Sequence, residues 1–221
     1  MNSYDNNAVA AAYHQYTRFD ASGHTAVFEV LGNITGKKVL ELGCGEGKFA
    51  RLLASKGAQV EGADISEPML KIAREASSEK IVFHLIKNAK LPPGRTYDAI
   101  TTVFTLCNME SFSDVQSNLA ACHKALKAGG KLVILESDFL RSAGKDFPTF
   151  SVDEKPPLRE DQRLTLQLKI PPMSSLTVFN WHRTAERYAQ ALEKAGFRNT
   201  QVKRIGDSFP QTPYMVIWAE K

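Results

Sequence analysis

The chain has 221 residues, 43% hydrophobic and 24% charged, which suits one compact domain with a sizeable core. Its net charge of +4 is spread without a block of like charges, so composition gives no nucleic-acid-binding tail. Three cysteines, Cys44, Cys107 and Cys122, show no C-x-x-C spacing, which speaks against a disulfide framework or thiolate metal cluster and for a reducing compartment.

The first 31 residues read as one or two amphipathic helices, with Val9, Ala12, Tyr13 and Tyr16 on one face. The opening residues lack the pattern of a signal peptide. Lys38–Leu42 reads as a short buried strand, followed by a Gly-rich turn and a helix carrying Phe49, Leu52 and Leu53 that stops near Gly57. Gln59–Ala63 is a second strand. Ser66 reads as the N-cap of the next helix, with Pro68 in its first turn. Ile81–Ile86 and Tyr97–Phe104 are the third and fourth strands. A helix capped by Ser113 or Asp114 is predicted to run to Gly129-Gly130, and Lys131–Glu136 is the fifth strand, apolar enough to be buried on both faces.

Residues 139–180 break the rhythm with Pro148, Pro156-Pro157 and Pro171-Pro172 around one alternating run, Arg163–Ile170; such an insertion suits a binding lid. Thr184–Gly196 returns to helix, and Gln201–Ile205 with Tyr214–Trp218 form a closing antiparallel hairpin. The longest apolar window, Ala99–Cys107, is well short of the roughly 20 residues needed to cross a bilayer. Alternating strands and helices imply an α/β fold with a doubly wound, mostly parallel sheet. Four segments are expected within a single domain: a helical cap (1–31), a nucleotide-binding core (37–138), a lid (139–182) and a C-terminal helix and hairpin (183–221).

The turn Glu41-Leu42-Gly43-Cys44-Gly45-Glu46-Gly47 lies where open parallel sheets bind ligands. A dinucleotide loop requires a glycine at position 48, which is Lys48. Glu41 and Glu46 flank the turn and repel a pyrophosphate: like charges about 4 Å apart cost on the order of 4 kcal/mol at an effective dielectric near 20. A cofactor with an ammonium and a sulfonium is attracted instead.

These residues, with Gly62-Ala63-Asp64-Ile65-Ser66, Met69-Leu70 and Leu126-Lys127-Ala128-Gly129-Gly130-Lys131-Leu132, resemble the class I S-adenosylmethionine-dependent methyltransferases over roughly residues 37–138. Tyr4-Asp5, Tyr13 and Trp181-His182-Arg183-Thr184 further resemble the small-molecule branch that includes ubiquinone-type and toxoflavin-type enzymes. The resemblance implies a Rossmann-like seven-stranded sheet, S-adenosylmethionine as cofactor and S-adenosylhomocysteine as product. It places Gly43, Cys44, Gly45 and Gly47 against the cofactor, Glu41 near its ammonium, Asp64 on its ribose hydroxyls, and Ile65 and Met69 about its adenine. Asn88-Ala89 stands where the family has an acidic residue before alanine, and the Asn88 carbonyl supplies the acceptor. Phe104 and Thr105 face the methionine moiety, Phe104 by cation–π attraction. Tyr13, Tyr16 and Arg18 close over the carboxylate, Arg18 by a charge-assisted bond.

Methyl transfer to a phenol or ring nitrogen gains from a general base. His182 is the first candidate, at the family's His-Arg position, and His14 the second; His84 reads as structural and His123 as solvated. Phe139, Phe179 and Trp181, with Phe147 and Phe150, offer aromatic lid surface to sandwich a planar acceptor, and Tyr16 reaches it from the cap. The expected activity is transfer to oxygen or nitrogen of a small aromatic or heterocyclic metabolite by a cytoplasmic monomer or homodimer. No metal, nucleic acid or membrane partner is expected. A non-catalytic S-adenosylmethionine-binding regulator and a nucleic-acid methyltransferase are the alternatives.

Overall fold

A computed structural model describes residues 7–15, 21–77, 80–169, 175–206 and 211–221. Two N-terminal helices, α1 (Asn7–Gln15) and α2 (Ala21–Leu31), precede an alternating core. This core comprises β1 (Lys38–Leu42), α3 (Lys48–Ser55), β2 (Gln59–Asp64), α4 (Glu67–Ala76), β3 (Val82–Leu85), β4 (Tyr97–Val103), α5 (Phe112–Ala125) and β5 (Leu126–Ser137). A short helix α6 (Phe139–Ser142) leads to β6 (Phe150–Val152), β7 (Arg163–Leu168) and β8 (Leu176–Trp181). The chain closes with α7 (Ala185–Lys194), β9 (Arg198–Ile205) and β10 (Tyr214–Glu220).

The main sheet has seven strands in the order β3-β2-β1-β4-β5-β10-β9. β1 to β5 pair in parallel, and β10 runs antiparallel to both β5 and β9. This is the expected doubly wound sheet with its closing hairpin. The strand order reverses beside β1, whose Leu42 pairs with Ala63 on one side and Thr102 on the other. The turn after Leu42 therefore opens at the carboxyl edge, in the crevice where such sheets take ligands.

Helix termini follow local chemistry. Ser66 caps α4 through the Met69 N–H, with Pro68 in the first turn, and Thr184 caps α7 through the Arg187 N–H. Two expectations need correction. The cap of α5 is Ser111, which accepts from the Ser113 N–H. That helix ends at Ala125, short of Gly129-Gly130, because Leu126 already pairs with Tyr97 on β4. The glycines then take up a register shift between the Tyr97 and Ala99 pairings. A Cβ on Gly130 would meet the Lys127 and Asp98 carbonyl oxygens at 2.9 and 3.1 Å.

The 139–180 insertion folds into a three-stranded antiparallel sheet, β6-β7-β8, of which the alternating run supplies the middle strand. Leu164, Leu166 and Leu168 of β7 and Val178 of β8 point inward and build an apolar cluster with Phe139, Phe147, Phe150 and Cys107. Alternation thus gives this sheet a buried underside and a solvated outer face. Pro171 and Pro172 lie outside the described residues. Among the described residues no helix is long and apolar enough to cross a membrane, and no group of His, Cys, Asp and Glu is placed to hold a metal ion.

Candidate active site

One cavity of about 810 Å³ runs from the turn after β1 to the underside of the β6-β7-β8 sheet. Its floor is the glycine loop. Gly43 has φ +72°, and a Cβ there would overlap the methyl and hydroxyl of Thr105, so both conformation and space demand glycine. Thr105 in turn sits against the loop, with its hydroxyl 3.3 Å from the Leu42 and Gly43 carbonyl oxygens.

Glu41, at 2% exposure, is the most constrained acid of the site. It accepts the Ala50 backbone N–H in the first turn of α3, where the N-cap Gly47 brings no side chain, so it satisfies a helix terminus from the neighbouring strand. Its Oε2 is buried and accepts no hydrogen bond from the described residues, while the residue lines the cavity. Burial first, and Asp64 in addition, hold its carboxyl well above the usual range. A carboxylate in that state has a strong preference for a cationic group brought beside it.

Asp64 ends β2 and lines the same cavity. Its Oδ2 accepts the Gly45 N–H at 2.7 Å and its Oδ1 the Ser66 N–H at 2.9 Å. Beyond the expected reach to a ribose, it therefore braces the loop against α4. Cys44 lies behind the loop, where a Cβ on Gly62 would stand 2.8 Å from its sulfur, and burial pushes its thiol up. Glu46 is paired with Lys48 at 2.8 Å and with His14 of α1, so its charge is compensated locally.

Ile65, an exposed apolar residue, and buried Met69 form the wall beyond Asp64. Opposite them lies the Lys87–Lys90 turn, closed by the Lys90 N–H on the Lys87 carbonyl, with φ +51° at Asn88 and +56° at Ala89. Positive φ at both central positions makes this a type I′ turn, which asparagine tolerates and alanine does not favour. Phe104, also at positive φ, packs against Tyr214 with ring centroids 5.2 Å apart. Tyr13 reaches the cavity from α1.

The expected site residues divide as follows. Tyr13, Glu41, Gly43, Cys44, Gly45, Asp64, Ile65, Met69, Asn88, Ala89, Phe104, Thr105 and Trp181 line one cavity. Gly47 does not: it lies behind the loop at φ +78°, where a Cβ would crowd Phe83, Arg51 and Ala73. Tyr16 and Arg18 lie outside the described residues. Phe139 and Phe147 are lid core rather than lining, and Phe179 faces outward with the Arg163 guanidinium 4.8 Å over its ring. Phe150 does line the cavity.

Neither of the two histidines expected as bases lines the cavity. His182 is 2% exposed and absent from the lining; its main chain bonds to Gln162 and Asp161, and burial lowers its pKa. His14 bonds to Glu46 and is likewise not a lining residue. His84 pairs with Glu61, and half-buried His123 packs edge-on against Phe197. Of the five histidines, His24 alone lines the cavity, stacked 5.0 Å from Phe49.

Sequence reasoning also missed what Arg183 and Glu136 do. Arg183, fully buried, donates to the Leu106, Met109 and Glu110 carbonyls and so shapes the stretch after β4. Glu136, also fully buried, accepts the Leu106 and Cys107 N–H groups from the other side, and burial pushes its carboxyl up to about 7. For Glu136 the signal was present: a charged residue in an otherwise apolar strand.

Comparisons with known proteins agree with this geometry. The model of the family described as "Methyltransferase domain" matches residues 13–202. The demethylmenaquinone methyltransferase of Tropheryma whipplei (strain Twist) is 32% identical over 220 residues, covering 90% of this chain and 84% of the relative. The ubiquinone biosynthesis O-methyltransferase of Idiomarina loihiensis is 38% identical over 102 residues, 44% of this chain and 41% of the relative. Among solved structures, an S-adenosylmethionine-dependent methyltransferase from Mesorhizobium loti superposes with a TM-score of 0.66 at 22% identity, covering 91% of this chain and 99% of the other.

Proposed function

The chain belongs to the S-adenosylmethionine-dependent methyltransferases, and from that premise we propose that it methylates a small planar acceptor, a phenol-like or heterocyclic ring, at oxygen or nitrogen. The observation that carries this reading is the underside of the lid. Phe150, Leu166, Leu168 and Val178 turn one apolar face onto the cavity that the glycine loop floors, and Trp181 lines its edge. A flat ring gains most from such a face, whereas a sugar or a nucleic-acid strand leaves its polar groups unpaired there. The names of two relatives, a demethylmenaquinone methyltransferase and a ubiquinone biosynthesis O-methyltransferase, support a planar ring as acceptor.

The bound cofactor supplies an electrophilic methyl group on a positively charged sulfur. The residues of this chain hold and exclude. Glu41 offers its unpartnered oxygen to the ammonium, Asp64 the remaining capacity of its carboxylate to the ribose, and Ile65 and Met69 their apolar surface to the adenine. The lid shields the cavity from water and sets the acceptor against the methyl group. Holding two reactants in line is worth roughly 7–11 kcal/mol of barrier, so positioning can carry most of the rate.

The test is direct. Protein is incubated with methyl-labelled S-adenosylmethionine and either 1-naphthol, 4-hydroxyquinoline or total nucleic acid, and the product is identified by mass. Label on a ring oxygen or nitrogen supports the reading. Label in nucleic acid, or retained cofactor binding without label in either ring compound, overturns it.

A further inference from the structure

Two carboxamides form a directed chain beside the acceptor end of the cavity. Asn180 lies on β8, opposite Leu164 of β7 in register, and so belongs to the inward face that is otherwise apolar. It is 7% exposed and lines the cavity, as does Asn108 in the turn after β4. Asn180 Nδ2 donates to Asn108 Oδ1 at 2.8 Å and lies 3.1 Å from the Phe179 carbonyl oxygen. Asn108 Nδ2 donates to the Phe104 carbonyl oxygen at 2.6 Å.

The polarity of this chain is fixed from its ends. A backbone carbonyl only accepts, so the Phe104 carbonyl requires the nitrogen of Asn108, which turns the Asn108 oxygen toward Asn180. Asn180 must then present its nitrogen to both Asn108 and Phe179; flipping either amide sets oxygen against oxygen. That leaves the Asn180 oxygen. It accepts no hydrogen bond among the described residues, yet it is not one of the polar atoms sealed from solvent without a partner. An atom of a nearly buried residue that is neither bonded nor sealed opens into the cavity its residue lines.

We infer that Asn180 is a specificity residue whose Oδ1 takes a hydrogen bond from an O–H or N–H of the methyl acceptor. The inference rests on the planar-acceptor reading and narrows it: the ring enters carrying a hydrogen-bond donor, as a phenol or a reduced quinol, and not as a bare carbonyl. A second carbonyl oxygen facing Asn180 has no proton to share, and on this apolar face it loses its water without replacement. The carboxamide orients the acceptor and takes no proton.

Equilibrium dialysis of the protein saturated with S-adenosylhomocysteine tests this with 1-naphthol and 1-methylnaphthalene, which are alike in shape and differ in the hydroxyl. Wild-type protein is expected to bind 1-naphthol roughly tenfold tighter, although an unselective apolar pocket favours the methyl compound. In Asn180→Leu that preference should vanish or reverse while the melting-temperature rise with S-adenosylhomocysteine is kept; Asn180→Ala serves if the leucine variant does not fold. Equal binding of the two probes by wild type, or a preference that survives in the variant, overturns the role of Asn180 and leaves the planar acceptor standing. Failure of both probes to bind overturns the planar acceptor itself and this inference with it.

Discussion

Arg183 Nε donates to Asp161 Oδ1 at 2.7 Å from a side chain with no exposed surface. The rest of its guanidinium is spent on three carbonyls of the turn after β4, at 2.7 to 3.0 Å. One side chain thus ties the loop before β7 to the segment carrying Asn108 and Met109 into the cavity. Lysine cannot reproduce this fork. Arg183→Lys is expected to lower stability by roughly 1–3 kcal/mol, the cost of leaving buried carbonyls without a donor. Asp161→Asn should cost less, because Asp161 is partly exposed and shared with Arg187. Urea unfolding of the two variants checks the order.

Gly43 and Thr105 are a packed pair. Gly43→Ala is expected to destabilise by roughly 2–5 kcal/mol, from the left-handed backbone and the overlap together. Thr105→Ala should not rescue it, since the added Cβ would still stand 2.7 Å from that of residue 105. Thr105→Gly should rescue in part. Thermal melts of the single and double variants decide this.

His182 stands outside the cavity lining, so loss of its imidazole should leave the chemistry intact. His182→Gln is expected to retain methyl transfer within about threefold, where loss of a general base costs roughly 10²–10⁴-fold. The readout is single-turnover transfer of label, with a melt to confirm folding.

Glu136 sets a pH dependence of stability. Its carboxyl is raised in the folded state, from 4.5 to about 7, by burial. The folded chain therefore holds this proton more tightly than the unfolded chain. The contribution to stability is fully present below pH 4.5 and is lost as pH rises through about 7, a difference of about 3 kcal/mol. Glu136→Gln keeps an oxygen for the Leu106 and Cys107 N–H groups and should flatten that slope. Urea unfolding from pH 4.5 to 8 measures it.

Part of the cavity floor was legible because close backbone approach and a strand-end acid leave few residue choices: Gly43, Gly45 and Asp64, which the family resemblance singles out, all line the cavity. The lid was not. Whether Phe179 or Asn180 faces the cavity depends on the β7–β8 register, in which Thr165 opposes Phe179 and Leu164 opposes Asn180. A one-residue slip exchanges the two faces. The burial of His182 was illegible for a related reason. The chemistry of Trp181-His182-Arg183 pointed to histidine as a base, whereas burial uses Arg183 as a tether and leaves histidine in the packing. The paired glycines at 129 and 130 looked like a helix end, but pairing of Leu126 with Tyr97 claims the chain first.

The account turns on Glu41 as an acid kept waiting for a cation. Calorimetric titration with S-adenosylhomocysteine, in two buffers of different ionisation enthalpy, measures whether binding expels a proton. An ammonium brought beside Glu41 must lower its elevated pKa. Wild-type protein is therefore predicted to release a proton on binding and to gain affinity as pH rises toward the value of the unliganded carboxyl. Glu41→Gln should release none and bind at least tenfold more weakly. Absence of binding heat at millimolar ligand, or equal affinity and equal buffer response in wild type and Glu41→Gln, would contradict the account.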